Sequence, residues 1–277
     1  MSNNYKISVI VPIYNEEENL EIFVERILPV LQGIGTYELI FCLDPSNDNT
    51  ESVLELLTNK NKNIKCILFS RRFGQPVATM AGILNCSGEY CVVIDVDLQD
   101  PPELINELYE KACEGYDVVY AQRRSRDGET MIKKFISFTG YKLINQISEV
   151  AIPKNTGDFR IINRRIIENL RKFNETHGFL RGLIALIGFK QIPLIYDRAA
   201  RLHGKSNYNI YFGSLKIAFN GIVSFSSSLL FFVFLLGSSF FCLSIFGIFF
   251  LIFTKLIMNF EYPLGFPSLA ILVLSLG

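Results

Sequence analysis

The stretch KISVIVPIYNEEENLEIFVERILPVL, residues 6–31, decides the architecture of the chain. Ile7–Ile13 is apolar at odd and even positions alike, as expected of a strand buried on both faces of a parallel sheet. Leu20, Phe23, Val24, Ile27, Leu28 and Leu31 then recur at helical spacing, with Asn15 placed to cap the helix. The same alternation continues outward. Tyr37–Leu43 reads as a strand closed by the turn-forming Asp44-Pro45-Ser46-Asn47-Asp48, and a helix follows over Thr50–Asn59. Ile64–Phe69, Tyr90–Ile94 and Val118–Ala121 read as strands; Pro76–Leu84 and Pro101–Glu114 read as helices. Strands separated by helices predict an α/β fold whose mostly parallel sheet is covered on both sides. No GxGxxG follows the first strand and no GxxxxGK[ST] occurs, which disfavours dinucleotide and Walker-type phosphate sites.

Composition adds a second part. The 277 residues carry 27 Lys+Arg against 27 Asp+Glu, so bulk charge gives no reason to expect a nucleic-acid partner. Hydrophobic residues reach 49%, and the excess is concentrated: 14 of 24 Phe lie between Phe212 and Phe266, and no charge occurs from Ile217 to Thr254. The expected organisation is a cytoplasmic domain over 1–210, a juxtamembrane amphipathic segment over 211–228 and a transmembrane helix over 229–254. An apolar run over 267–277 reads as the start of a second transmembrane helix. Lys190, Arg198, Arg201, Lys205 and Lys216 precede the first span and only Lys255 follows it before the second run. The positive-inside bias therefore places the large domain in the cytoplasm of a multi-pass membrane protein. Cys42, Cys66, Cys86, Cys91, Cys113 and Cys242 form no CxxC pair and read as buried, reduced thiols.

In open parallel sheets ligands gather at the carboxyl ends of the strands. Those ends carry Pro12-Ile13-Tyr14-Asn15-Glu16, Asp44, Ser70-Arg71-Arg72 and Asp95-Val96-Asp97-Leu98-Gln99-Asp100. Acids at three strand ends repel one another unless a cation or donor ligand separates them. Asp95 and Asp97, with Gln99 as a neutral oxygen, suit a hard divalent ion such as Mg²⁺ or Mn²⁺; solvated turn acids are the competing explanation.

Eight segments, in order, resemble the inverting family 2 glycosyltransferases of GT-A fold: VIVPIYNEEENL (9–20), LDPSNDNT (43–50), SRRFGQ (70–75), DVDLQDPPE (95–103), RRSRDGE (123–129), TGDFRIINR (156–164), GFLRGLIALIGFKQ (178–191) and RLHGKSNY (201–208). The resemblance is to the polyprenyl-phosphate branch, which includes bactoprenol glucosyltransferases and dolichol-phosphate mannose synthases. It implies that Pro12, Tyr14, Glu16, Asp44 and Asp95 bind the nucleotide sugar, and that Asp95, Asp97 and Gln99 hold the metal on its diphosphate. It further implies catalytic roles for Asp97, Arg123, Arg126 and Asp158, the arginines over the phosphates and Asp158 at the sugar or acceptor pocket. Arg201, Lys205 and Ser206 would receive the phosphate of the lipid acceptor. The implied reaction moves a sugar, glucose or N-acetylglucosamine, from a UDP-sugar to polyprenyl (undecaprenyl) phosphate for modification of cell-envelope glycans; the resemblance is compatible with a homo-oligomer and leaves the oligomeric state open. A dolichol-phosphate-mannose-synthase-like enzyme using GDP-mannose, and a non-catalytic membrane scaffold, are the alternatives.

Two departures stand out. Pro45 replaces the glycine usual in the second motif, and Asn207 replaces the lysine usual in the last. A processive family 2 synthase would need a Gln-x-x-Arg-Trp motif, and the chain contains no Trp. Arg164, Arg165, Arg171 and Lys172 read as a solvated helix face.

Overall fold

The computed structural model describes residues 5–124, 156–173, 180–197 and 227–276. They form two compact units that divide between Ser224 and Phe225.

The first unit is a seven-stranded sheet with helices: β1 (Ile7–Ile13), α1 (Glu17–Ile34), β2 (Tyr37–Leu43), α2 (Thr50–Lys60), β3 (Ile64–Leu68), α3 (Gln75–Asn85), β4 (Tyr90–Val93), a 3-10 turn (Pro102–Leu104), α4 (Ile105–Cys113), β5 (Val118–Arg123), β6 (Thr156–Asn163), α5 (Arg164–Lys172), α6 (Leu180–Ile187) and β7 (Gln191–Tyr196). The sheet order is β3-β2-β1-β4-β6-β5-β7. β1 pairs parallel with β2 and β4, β2 with β3, and β5 with β7. Every residue of β1 and β2 is buried, as their two-sided apolar pattern requires.

The sheet is mostly parallel, as expected, with one exception. β6 runs antiparallel to both neighbours, pairing Val93 with Arg160 and Val119 with Ile161. Its sequence TGDFRIIN gives no direction of its own; insertion between β4 and β5 supplies it. A further expectation is corrected at α1. Asn15 does not cap the helix: Glu16 occupies the N-cap position without a side-chain bond, while Asn15 adopts φ 54 and accepts from the Asn47 amide at 2.9 Å. That left-handed conformation suits Asn better than most residues.

The core forms on both faces of the sheet. On one, Leu20, Phe23, Ile27 and Leu31 of α1 and Ile105 and Leu108 of α4 pack against Val9, Val11, Phe41 and Ile161. On the other, α3 approaches so closely that a Cβ at Gly82 would lie 2.2 Å from Ile10 Cγ2 and 2.9 Å from Cys42 Sγ.

The arginines of α5 are not simply a solvated face. Arg171 donates to Leu84 O at 2.9 Å and to Cys86 O at 3.0 Å, and Arg164 donates to Cys86 O at 3.0 Å. Two cations thus satisfy carbonyls left unpaired at the end of α3, where the helix dipole also favours positive charge. Arg165 instead stacks on Phe189, its guanidinium carbon 3.9 Å from the ring centroid. The cysteines divide: Cys42, Cys86 and Cys91 are buried, whereas Cys113 is exposed. Burial, reinforced by neighbouring Cys66, pushes the Cys42 thiol up to about 12, which keeps it protonated and inert.

The second unit contains α7 (Ser227–Leu256) and α8 (Phe266–Leu276). Phe231–Leu256, 26 residues, is long and apolar enough to cross a membrane, with none of its most apolar stretch buried within the structure. At the end of α7, Thr254 Oγ1 and Tyr262 OH lie 2.6 Å apart, and Tyr262 stacks on Phe266 with centroids 5.6 Å apart.

The contact at Gly82 sets a stability prediction. Gly82→Ala should destabilise the first unit by about 1–3 kcal/mol through overpacking against β1. Thermal denaturation of the detergent-solubilised chain is expected to show a loss of roughly 5 °C.

Candidate functional site

The reversal of β6 determines what meets at one edge of the sheet. The parallel strands deliver their carboxyl ends there: Pro12 and Ile13 on β1, Leu43 on β2, Val93 on β4, Arg123 on β5 and Tyr196 on β7. Being antiparallel, β6 delivers its first residues, Thr156–Asp158. Asp95 and Asp158 each lie two residues beyond the last β4–β6 pair, Val93 and Arg160.

Two loops on the β1 and β2 side clasp each other. The Asn15 amide donates to Ser46 Oγ at 3.0 Å, and Ser46 Oγ donates to Asp44 O at 3.1 Å. The Glu16 amide donates to Thr50 Oγ1 at 2.9 Å, and the Asn49 amide to Glu17 Oε2 at 2.8 Å. Pro45 is therefore accommodated in an ordered turn. Glu16 itself accepts from Asn19 Nδ2 at 2.6 Å.

Asp44, 3% exposed, holds a third loop. Its carboxylate accepts from the Phe73 amide at 3.0 Å and the Gly74 amide at 2.8 Å. The same loop stacks Arg72 on Tyr14, its guanidinium carbon 3.9 Å from the ring centroid, and Arg71 on Phe73 at 4.1 Å. Arg72 and Gln75 received no role from the sequence. They lay in the quoted segment SRRFGQ beyond a strand end, and the structure puts them against Tyr14 and Asp95.

The acid loop follows β4. Asp95 Oδ1 accepts from Gln75 Nε2 at 2.8 Å; Asp97, 5% exposed, accepts from the Gln99 amide at 3.2 Å. Leu98 between them takes φ 57. Buried Asp100 accepts from the Tyr196 hydroxyl, which joins the loop to the end of β7. Burial and Asp100 together push the Tyr196 phenol up to about 12, so it remains a donor at neutral pH.

Across the same edge lies a cluster of cations. Arg181 on α6 donates to Asp158 Oδ1 at 2.9 Å and to Thr156 O at 2.8 Å. Arg160 donates to Gly157 O at 2.8 Å and to Asp158 O at 3.3 Å. Arg123 comes so close to Gly157 that a Cβ there would lie 3.3 Å from a guanidinium nitrogen, and its buried Nε has no hydrogen-bond partner among the described residues. Three guanidinium groups around one carboxylate leave a positive balance suited to an anion. Burial alone would raise the Asp158 carboxyl; Arg181, Arg160 and Arg123 more than reverse it and hold it below the ordinary aspartate value. Arg160, nearly fully buried, is pushed down to about 10 by desolvation and by Arg181, against the opposing pull of Asp158, and stays charged at neutral pH.

Of the expected site residues, the structure brings Pro12, Tyr14, Glu16, Asp44, Asp95, Asp97, Gln99, Arg123 and Asp158 to this edge or the loops that leave it. Arg126, Arg201, Lys205 and Ser206 lie outside the described residues. Arg160 and Arg181 join the cluster without having been singled out; both were embedded in the quoted segments, and only the fold relates them to Asp158. Among the described residues, no three His, Cys, Asp or Glu side chains form a metal-binding group. The carboxylates of Asp95 and Asp97 are nonetheless hard oxygen donors of the kind that Mg²⁺ or Mn²⁺ takes.

The sheet and its helices form a GT-A-like α/β fold. Residues 8–171 match the family model described as glycosyl transferase family 2, and the chain belongs to that family. A glycosyltransferase of Synechocystis whose activity is uncharacterised is 41% identical over 98% of this chain and 85% of its own. The bactoprenol glucosyl transferase of Shigella phage SfV is 37% identical over 80% of this chain and 72% of its own. Among solved structures, glucosyl-3-phosphoglycerate synthase from Mycobacterium tuberculosis, crystallised with Mn²⁺, UDP-glucose and phosphoglyceric acid, shares the fold. Its TM-score is 0.54 at 20% identity, covering 80% of this chain and 79% of that one.

The depressed Asp158 carboxyl has a pH signature. A carboxyl whose folded value lies below its unfolded one contributes stability above the ordinary range, and that stability is lost as pH falls through the folded value. Asp158→Asn should therefore cost about 3 kcal/mol at pH 7 by leaving three guanidinium groups without their carboxylate. In melts at decreasing pH, the gap to wild type should narrow once pH drops below the ordinary value of 3.8.

Proposed function

We propose that the chain is an inverting glycosyltransferase that moves glucose or N-acetylglucosamine from a UDP-sugar to polyprenyl (undecaprenyl) phosphate at the cytoplasmic face of the inner membrane. The product, a polyprenyl-monophosphate sugar, would serve cell-envelope glycan modification. The observation that carries this reading is the juxtaposition, at one edge of the sheet, of the Asp95–Asp97 acid loop with the arginine-ringed Asp158. One side suits a cation-bound diphosphate and the other a second anion. The apolar α7 and the likeness to bactoprenol glucosyl transferases favour a lipid-linked acceptor and a multi-pass membrane protein.

In this reading Asp95 and Asp97, with Gln99, would hold Mg²⁺ or Mn²⁺, which when bound would supply positive charge to the departing diphosphate. Tyr14, Glu16, Asp44 and the backbone at Pro12 cradle the nucleoside. The nucleophile is a phosphate oxygen of the acceptor. It attacks the anomeric carbon opposite the leaving group, the bond to the diphosphate oxygen breaks with its electron pair, and configuration inverts. A phosphate monoester is largely a dianion at neutral pH, so no strong general base is required. What it requires is orientation, which Arg123 and Arg126 supply over the reacting phosphates and Arg201, Lys205 and Ser206 supply at the membrane surface. Asp158, kept ionised by its arginines, lines the sugar and acceptor pocket and remains an acceptor for hydroxyl groups.

The test is an extraction assay. Detergent-solubilised chain is incubated with Mn²⁺ or Mg²⁺, undecaprenyl phosphate and a panel of labelled nucleotide sugars, and label entering the organic phase is counted. Transfer from UDP-glucose or UDP-N-acetylglucosamine is expected, lowered by about 100-fold in Asp97→Asn, equivalent to roughly 3 kcal/mol of transition-state stabilisation. Transfer from GDP-mannose alone would select the mannose-synthase-like alternative, and nucleotide binding without any transfer the scaffold. Arg201→Ala should raise the KM for undecaprenyl phosphate about tenfold, a loss of roughly 1.4 kcal/mol, while leaving that for the nucleotide sugar unchanged.

A further inference from the structure

We propose that Gln75 is a positioning residue that couples nucleotide binding to divalent-cation binding, by tying the loop that leans on Tyr14 and Asp44 to the carboxylate of Asp95. The inference rests on the reading above, in which Asp95 faces the cation and Tyr14 the nucleoside.

The connection runs through three consecutive residues. Asp44, at the end of β2, accepts from the backbone amides of Phe73 and Gly74. Gly74 turns the chain with φ 88, a conformation open to glycine and costly for other residues, and Gln75 opens α3 with Pro76 in its first turn. From there Gln75 Nε2 donates to Asp95 Oδ1 at 2.8 Å. β1 lies between β2 and β4 in the sheet, so Asp44 and Asp95 are not on neighbouring strands. The 73–75 segment bridges across it. On its outer side the same loop presents Arg72, stacked on Tyr14 at 3.9 Å.

A nucleoside that packs on Tyr14 therefore acts on the Arg72 stack, and the position of the loop is passed to Gln75. The chemistry of the amide matters as well. It fixes one oxygen of Asp95 by a neutral hydrogen bond and adds no positive charge beside a cation site. A cation bound at Asp95 stabilises in turn the loop position that the nucleotide selects. Linkage requires the effect to be reciprocal, and coupling of this kind is typically about 5–150-fold in affinity.

The experiment measures binding rather than turnover. UDP, with GDP in parallel, is titrated calorimetrically into the detergent-solubilised full chain in EDTA and again in saturating Mn²⁺. Wild type is expected to bind the nucleotide more tightly with Mn²⁺. Gln75→Ala should keep its affinity in EDTA within about twofold and lose at least about fivefold of the Mn²⁺ gain. Gln75→Met, which keeps side-chain length and helix propensity but cannot donate, should behave alike and keeps the test available should the alanine variant fold poorly. An unchanged Mn²⁺ gain in either folded variant overturns the role of Gln75 while leaving the metal reading intact. Equal weakening with and without Mn²⁺ also overturns it, since that marks a residue that merely supports the loop. A wild-type chain whose nucleotide affinity is indifferent to Mn²⁺ would sink the metal reading and this inference together.

Discussion

The site depends on one strand running the wrong way. A parallel sheet gathers the last residues of its strands at one edge, and in this chain those ends are rich in acids. β6, inserted antiparallel between β4 and β5, brings its first residues to the same edge, and with them Gly157, Asp158 and the guanidinium of Arg160. Parallel insertion would have sent these residues to the far edge. Arg160 also secures the turn it belongs to, because its guanidinium occupies the carbonyls of Gly157 and Asp158. A buried arginine is expensive to desolvate, and these hydrogen bonds together with the Asp158 charge offset that cost.

The acids of the loop after β4 stand apart from the arginines around Asp158. Asp95, Asp97 and Asp100 follow β4, while Arg123, Arg160 and Arg181 converge on Asp158 from β5, β6 and α6. One link between the two halves is a hydroxyl: Tyr196 reaches from β7 to Asp100. Its ring packs edge-on against Phe159 at 6.3 Å, which fixes the phenol in place. An acid loop beside an arginine cluster suits a reaction that begins and ends with phosphates on both partners. That is the physical sense in which a family 2 fold fits the proposed lipid-phosphate acceptor.

The elements built from local pattern were legible before the fold. β1, β2 and the helical face of α1 follow from apolar spacing, because a strand covered on both sides and a helix covered on one leave different periods in sequence. The acids at the strand ends were legible for the same reason, since a parallel sheet puts all its carboxyl ends together. The cap at α1 was misread because Asn15 serves the neighbouring loop through Asn47, a partner 32 positions away. Arg165 and Lys172 are exposed as expected of a solvated face, but Arg164 and Arg171 are not, because the carbonyls they bind lie at the end of α3, more than eighty residues earlier for Arg171.

The amino-acid sequence by itself determined the alternation of strands and helices, the apolar C-terminal helix and the identity of the acids that end the strands. These are properties of neighbouring residues and of simple periodicity. Only the tertiary structure decided the direction of β6, the gathering of Arg123, Arg160 and Arg181 on Asp158, and the contact of Gln75 with Asp95. The physical reason is that strand direction and long-range ion pairing carry no local signature. They are set by which arrangement buries the apolar faces while leaving buried charges partnered, and that balance exists only once the whole sheet has assembled.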